Sequence, residues 1–281
     1  MKGDYRRAIH IDFHTLPGID NMNDFDVDKF AETLAKAHVT YVNVFAQCNQ
    51  GFCYYPTKIG KVYPGLTRDL LGETVRACRL RGIGVTAYFN AGICVAQLME
   101  HPEWRKVDQN GENTRPHTVG DDEDLIYRSC FNTGYYEFLK SVIREVVDNY
   151  NVDGIFCDCF NHEPCYCENC KRDMSAQGID LNDYAQALAF NDKQLQDFCY
   201  DIRNMVAPKH TFFNSMDWDM DFNDHIEHEC LPNTPTWSYE YFSPYAAFAR
   251  GCGKEMMYMT GRFSNAWGGF RRDCTQSVVG K

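Results

Sequence analysis

Apolar and polar positions along this chain alternate with two different periods, and the switches between them mark out a repeated strand, loop and helix. Residues 8–14 (AIHIDFH) read as a strand, with Ile9, Ile11 and Phe13 on one parity and His10, Asp12 and His14 on the other. The spacing turns helical over residues 27–37, where Val27, Phe30 and Leu34 share a face. A second strand over 41–46 (YVNVFA) is followed by a long loop, GFCYYPTKIGKVYPG. A helix over 70–81 leads to a third strand over 84–90 (GVTAYFN). Residues 91–132 carry little regular pattern, and irregular stretches of that length in compact domains usually form lids or site walls. An amphipathic helix over 133–150, with Tyr136, Leu139, Ile143 and Val147 on its stripe, delivers the chain to the apolar run 152–157 and the carboxylate Asp158. A polar helical stretch after the Cys-rich loop, a long helix over 184–206 and strands over 211–215, 225–229 and 256–260 follow, with part of a helix at 246–252.

Seven strand signals interleaved with helices predict an α/β fold, a TIM-type (β/α)8 barrel lacking its last strand and helix. Residues 1–270 form the expected barrel domain, and 271–281 are a short tail, too brief for a strand and its covering helix. Strand alternation then sorts the side chains. The interior parity holds His10, Asp12 and His14 from the first strand and Tyr41, Asn43 and Gln47 from the second. It holds Thr86, Tyr88 and Asn90 from the third, Phe156 and Asp158 from the fourth, and His225, Glu227 and Glu229 from the sixth. A barrel built for stability alone would place Val, Ile and Leu there. Unsatisfied, each buried polar group costs roughly 1–3 kcal/mol, so the pattern points to a ligand-binding mouth or to a polar network that satisfies itself. An acid at the C-terminal tip of a strand is where α/β enzymes keep their chemistry, although a strand-end Asp can also cap the loop that follows.

Composition narrows the picture. A net charge of −11 argues against nucleic-acid binding, which needs clustered Lys and Arg. No run is long and apolar enough for a membrane span or a signal peptide, so the expected location is cytoplasmic. Fourteen cysteines in a chain of 281 residues do not suggest a small disulfide scaffold, and most are expected as reduced thiols. Cys165, Cys167 and Cys170 form a C-x-C-x-x-C cluster, with Cys159 or Cys130 as a fourth thiolate for tetrahedral zinc; a metal-free thiol loop is the alternative. Catalytic metal is not expected, because no H-E-x-x-H-type spacing occurs.

DGIFCD followed by CYCENC carries a family resemblance, joined in order by HIDFHT from His10, YYPTKIG from Tyr54, RGIGVTAYFN from Arg81, SCFN from Ser129, HIEHE from His225 and TGRFSNAWG from Thr260. Together they resemble hypothetical glycosyl hydrolase families with a (β/α)8 barrel, related to glycoside hydrolase family 151 α-L-fucosidases and more distantly to family 42 β-galactosidases. Cys159 stands where that pattern tends to have Gly, and the similarity stops beyond Gly268. The resemblance implies a retaining exo-glycosidase, α-L-fucosidase-like, that requires no cofactor, with Asp158 after the fourth strand as nucleophile. It also implies that the Cys cluster could be a structural zinc site like that of family 42. For the acid/base, Glu229 is preferred to Glu227 because it lies nearer the mouth; Glu240 is a third candidate. His10, Asp12 and His14 are expected to bind sugar hydroxyls, with Tyr88, Asn90, Asn132 and Arg262 as further contacts. Tyr54, Tyr55, Trp237 and Trp267 are candidate stacking rings. The expected partner is a carbohydrate substrate, with no nucleic acid and no membrane, and a homo-oligomer stays open. Two other readings compete: a carbohydrate-binding or structural barrel that has lost catalysis, and a zinc or iron–sulfur protein built on the Cys-rich loop.

Overall fold

The structure, a computed structural model, describes residues 7–11, 17, 18, 22–114, 127–229 and 242–259. The described chain runs β1 (Ala8–His10), α1 (Val27–Lys36), β2 (Tyr41–Gln47), β3 (Phe52–Cys53), β4 (Lys61–Val62), α2 (Leu70–Arg79), β5 (Gly84–Asn90) and α3 (Val95–Glu100). It continues through α4 (Gly134–Asn149), β6 (Gly154–Asp158), α5 (Glu168–Ala176), α6 (Tyr184–Val206), β7 (His210–Phe213), β8 (His225–Glu229), α7 (Phe242–Gly251) and β9 (Glu255–Met259). Strands β1, β2, β5, β6 and β7 lie side by side and all parallel. Helices connect them, as parallel strands require. Every residue of β2 is buried, as expected of a strand covered on both faces.

The helices start where short polar side chains can replace missing backbone partners. Asp26, Asp69, Thr133 and Asp183 accept from backbone N–H groups in the first turns of α1, α2, α4 and α6. Each such cap is worth about 1 kcal/mol. Helix α5 differs: Cys167 occupies its cap position and makes no side-chain cap bond.

The sheet curls so that non-adjacent strands meet across its interior. Tyr41 Oη on β2 shares a 2.9 Å hydrogen bond with His210 Nε2 on β7. Asn43 Nδ2, also on β2, donates to Glu227 Oε2 on β8 at 2.6 Å. Strands β8 and β9 pair with each other in parallel as a separate two-stranded sheet. That sheet is tied to β7 through Asp224, whose carboxylate accepts from the Thr211 N–H at 2.9 Å. Its other strand, β9, approaches β1. Between the Tyr41 and Asn43 contacts and the strand ends lies a layer of rings. Phe45 stacks on Tyr88 at 4.1 Å, Tyr88 on Phe156 at 5.4 Å, and His10 meets Phe156 edge-on at 5.1 Å. The inward parity expected for His10, Asn43, Tyr88, Phe156 and Glu227 therefore matches their contacts.

Several expectations need correction. A bulge between Phe45 and Gln47 sets Gln47 opposite Phe89 instead of Asn90, so simple alternation from Tyr41 and Asn43 fails at Gln47. The Gln47 side chain instead faces the Cys94 thiol at 3.7 Å. The loop after β2 contains β3, antiparallel to β2 through Gln47 and Cys53, and β4 beside it. The irregular stretch contains α3 and a 3-10 turn, Pro102–Trp104. Strand β7 begins and ends earlier than expected: Asn214 and Ser215 lie in the turn beyond it, Ser215 with φ 70°.

Candidate active site

Asp158 ends β6 in register with Asn90 at the end of β5. Three donors converge on its carboxylate. Tyr88 Oη donates to Oδ2 at 2.7 Å, while Asn214 Nδ2 and the Cys159 backbone N–H donate to Oδ1 at 2.9 and 2.7 Å. The Tyr88 hydroxyl can do this because its ring is clamped between Phe45 and Phe156, leaving the polar end to reach up the strand. Cys159 turns the chain sharply with φ 65°, a left-handed conformation that costs a non-glycine residue roughly 1–2 kcal/mol. Its sulfur accepts from Asn90 Nδ2 at 3.2 Å, and the Asn90 Oδ1 in turn accepts from the Ile93 N–H at 2.9 Å. Burial, then the negative charges of Asp158 and Glu229, push the Cys159 thiol well above its usual range.

Glu227 sits deeper. It is fully buried, held by Asn43 at 2.6 Å and His225 at 2.7 Å, whereas Glu229 lies one inward position further along β8 and is part-exposed. His10 lies in the ring layer and contacts Asn43 at 3.1 Å. Asn90 and Tyr88 stand beside Asp158. Tyr54 is fully buried and stacked on Tyr63 at 5.2 Å, and Tyr55 donates to Glu145 on α4 at 3.0 Å. Asn132 is engaged with α5, donating to Asp173 at 2.8 Å and accepting from Asn169 at 3.0 Å. Asp12, His14, Trp237, Glu240, Arg262 and Trp267 lie outside the described residues. Asn214 was not foreseen. Its signal is a polar residue directly after an apolar strand (HTFFN), the same pattern that picks out Asp158 after GIFC.

A second cluster follows in sequence. The sulfurs of Cys130, Cys165, Cys167 and Cys170 all lie within 4.8 Å of one another, with Cys130 3.5 Å from Cys170 and 3.8 Å from Cys167. Tetrahedral zinc–thiolate bonds of about 2.3 Å require sulfurs about 3.8 Å apart, so the donor set and spacing fit that ion. Cys130 completes the set; Cys159, the other candidate, bonds to Asn90 instead. The cluster opens α5, whose N-terminus favours anions. Hydrogen bonding from Cys130 and its neighbours draws Cys167 far below the usual thiol range and Cys165 below it, while the Cys165 contact pushes Cys130 up.

The chain is similar to α-L-fucosidase isoenzyme 2 from Paenibacillus thiaminolyticus, with 30% identity and a TM-score of 0.84 over 94% of this chain. It spans 41% of that protein's length. The PgaB (BpsB) glycoside hydrolase domain from Bordetella bronchiseptica has a TM-score of 0.68 at 12% identity, covering 90% of this chain and 83% of that one, a likeness of fold alone. A bacterial fucosidase solved with an iminocyclitol inhibitor has a TM-score of 0.51 at 16% identity, over 92% of this chain and 50% of its own. Among curated proteins none matches. The chain is thus glycosyl hydrolase-like, matching the family described as hypothetical glycosyl hydrolase 6 across residues 26–159.

Proposed function

We propose that the chain is a retaining exo-glycosidase of α-L-fucosidase type, with β1, β2, β5, β6, β7, β8 and β9 as strands of a (β/α)8-type barrel. The observation that carries this reading is the carboxylate of Asp158, placed at a strand tip with both oxygens held by donors from three separate elements. Preorganised donors that fix a reacting group are worth far more than the same groups in water. Oδ1 accepts two bonds and Oδ2 one, so Oδ2 is the oxygen free to attack the anomeric carbon. Glu229 supplies the proton to the departing glycosidic oxygen. Once the glycosyl–Asp158 ester has formed, Glu229 takes a proton from the water that cleaves it. Retention needs the two carboxyl groups about 5–5.5 Å apart. Glu227, saturated by Asn43 and His225, supports the floor of the site. Cys130, Cys165, Cys167 and Cys170 are read as ligands of a structural zinc ion, which would hold the segment between β6 and α5 and take no part in the chemistry.

Hydrolysis of a panel of nitrophenyl glycosides, α-L-fucoside and β-D-galactoside included, tests the proposal with the wild-type chain and Asp158→Asn. The expected result is turnover of one sugar, reduced at least about 10³-fold in the folded variant. Wild-type turnover in Asp158→Asn removes that residue from the mechanism. Sugar binding with no turnover of any glycoside replaces the enzyme reading with a binding one.

A further inference from the structure

Lys106 is 1% exposed, the most deeply buried lysine among the described residues. Its Nζ donates to Asn161 O at 3.0 Å, Asn161 Oδ1 at 2.9 Å, Glu163 O at 2.6 Å and Asn191 Oδ1 at 2.8 Å. All four acceptors are neutral. Among the described residues no carboxylate bonds directly to this ammonium; the charge of Glu163 acts on it without an ion pair, and a charge so placed out of water is expensive. The same segment is woven into the thiol cluster. The Cys130 N–H donates to Trp104 O at 2.8 Å, the Val107 N–H to Cys165 Sγ at 3.4 Å, and the Tyr166 N–H to Val107 O at 2.7 Å. An amide aimed at a sulfur is the kind of support that tunes metal-bound thiolates. Burial pulls the Lys106 ammonium below the usual lysine range, and the charges of Cys165, Cys130 and Glu163 act against that pull.

We propose that Lys106 is a positioning residue of the four-cysteine centre, its buried positive charge offsetting the negative charge of a divalent ion bound by four thiolates. Four thiolates on a dication leave a net charge of two negatives; the ammonium brings the buried assembly to one. The centre in turn adds to the negative charge of Glu163 that faces the ammonium. The bonds to Asn161 and Glu163 also tie the ammonium to the segment that leaves Asp158 and enters Cys165. The inference rests on the zinc reading above and not on glycoside turnover.

Zinc per chain, chelator competition for the bound ion and the pH at which zinc is released decide the matter, measured on the purified full chain and on two variants. Lys106→Met deletes the charge. Asn161→Asp is isosteric and gives the ammonium a private carboxylate, so it carries the test if Lys106→Met does not fold. The expected results are one zinc per wild-type chain, a 10- to 100-fold loss of zinc affinity in Lys106→Met, the scale typical of outer-shell changes, and a release midpoint moved to higher pH in both variants. A residue that merely packs would lower the melting temperature and leave the release midpoint where it was. Wild-type protein without zinc, or a folded variant with unchanged affinity and midpoint, overturns the proposal. None of these three readouts uses a glycoside, so loss of the glycosidase reading leaves this result standing.

Discussion

Tyr88 joins the two kinds of packing in this interior. Its ring belongs to the stacked layer of Phe45 and Phe156, and its hydroxyl belongs to Asp158. Tyr88→Phe therefore separates packing from chemistry, because the ring stays and only the donor goes. A hydrogen bond to a charged group is worth about 1.5–3 kcal/mol, which corresponds to a fall of roughly 10- to 100-fold in kcat. The melting temperature should fall by several degrees as well, since the same bond contributes to stability, but by less than loss of the whole ring would cause. Steady-state kinetics beside a thermal melt check this, and unchanged kcat would mean that Oδ2 does not need its donor. Beneath it, His210 is pushed down to about 4 by burial and then by His225, against an ordinary value near 6.5. The unfolded chain therefore binds the proton more readily than the folded one across that window. Stability is complete above about pH 6.5 and falls as the pH drops toward 4, with roughly 2 kcal/mol lost between pH 7 and 5 from this residue. Urea unfolding at the two pH values measures it, and His210→Gln should flatten that slope.

At the level of elements, the turn after β6 depends on a close approach from the turn after β5. A Cβ built on Gly92 would fall 1.6 Å from the Cys159 carbonyl oxygen, a backbone atom that cannot step aside. Gly92→Ala should cost about 1–3 kcal/mol through overpacking and impair turnover by moving the Asp158–Cys159 corner. An unfolding midpoint and a kcat both equal to wild type would show that the corner yields freely. This contact was not legible in the sequence, where Gly92 sits in an apparently irregular stretch. What was legible shares one property: a strong period over enough residues. β2, β5, β6 and β8 announced themselves by alternation or apolar runs, and α4 and α6 by their stripes. The six residues of α3 and the two-residue strands β3 and β4 are too short to show a period. The bulge at Gln47 carries no Gly or Pro to betray it, and the end of β7 slipped because its apolar run and the polar turn after it merge without a break.

Across the whole molecule, the candidate site was legible where one strand supplied it and hidden where distant segments met. Asp158 could be read from the end of an apolar run, and the interior position of Glu227 followed from the same counting. The thiol cluster shows the opposite case. Three of its sulfurs stand together in C-x-C-x-x-C, but Cys130 arrives from before α4, and only the folded chain distinguishes it from Cys159. Lys106 gave no sign at all, since a lysine in a polar stretch looks solvated until Asn161, Glu163 and Asn191 close around it. The register of β6 carries one more consequence. Its neighbours β5 and β7 count its residues in twos, and the residues on either side of Asp158 are both cysteines. Inserting one residue early in the strand would bring Cys157 to the tip, and deleting one would bring Cys159, so either change of length exchanges an acid for a thiol.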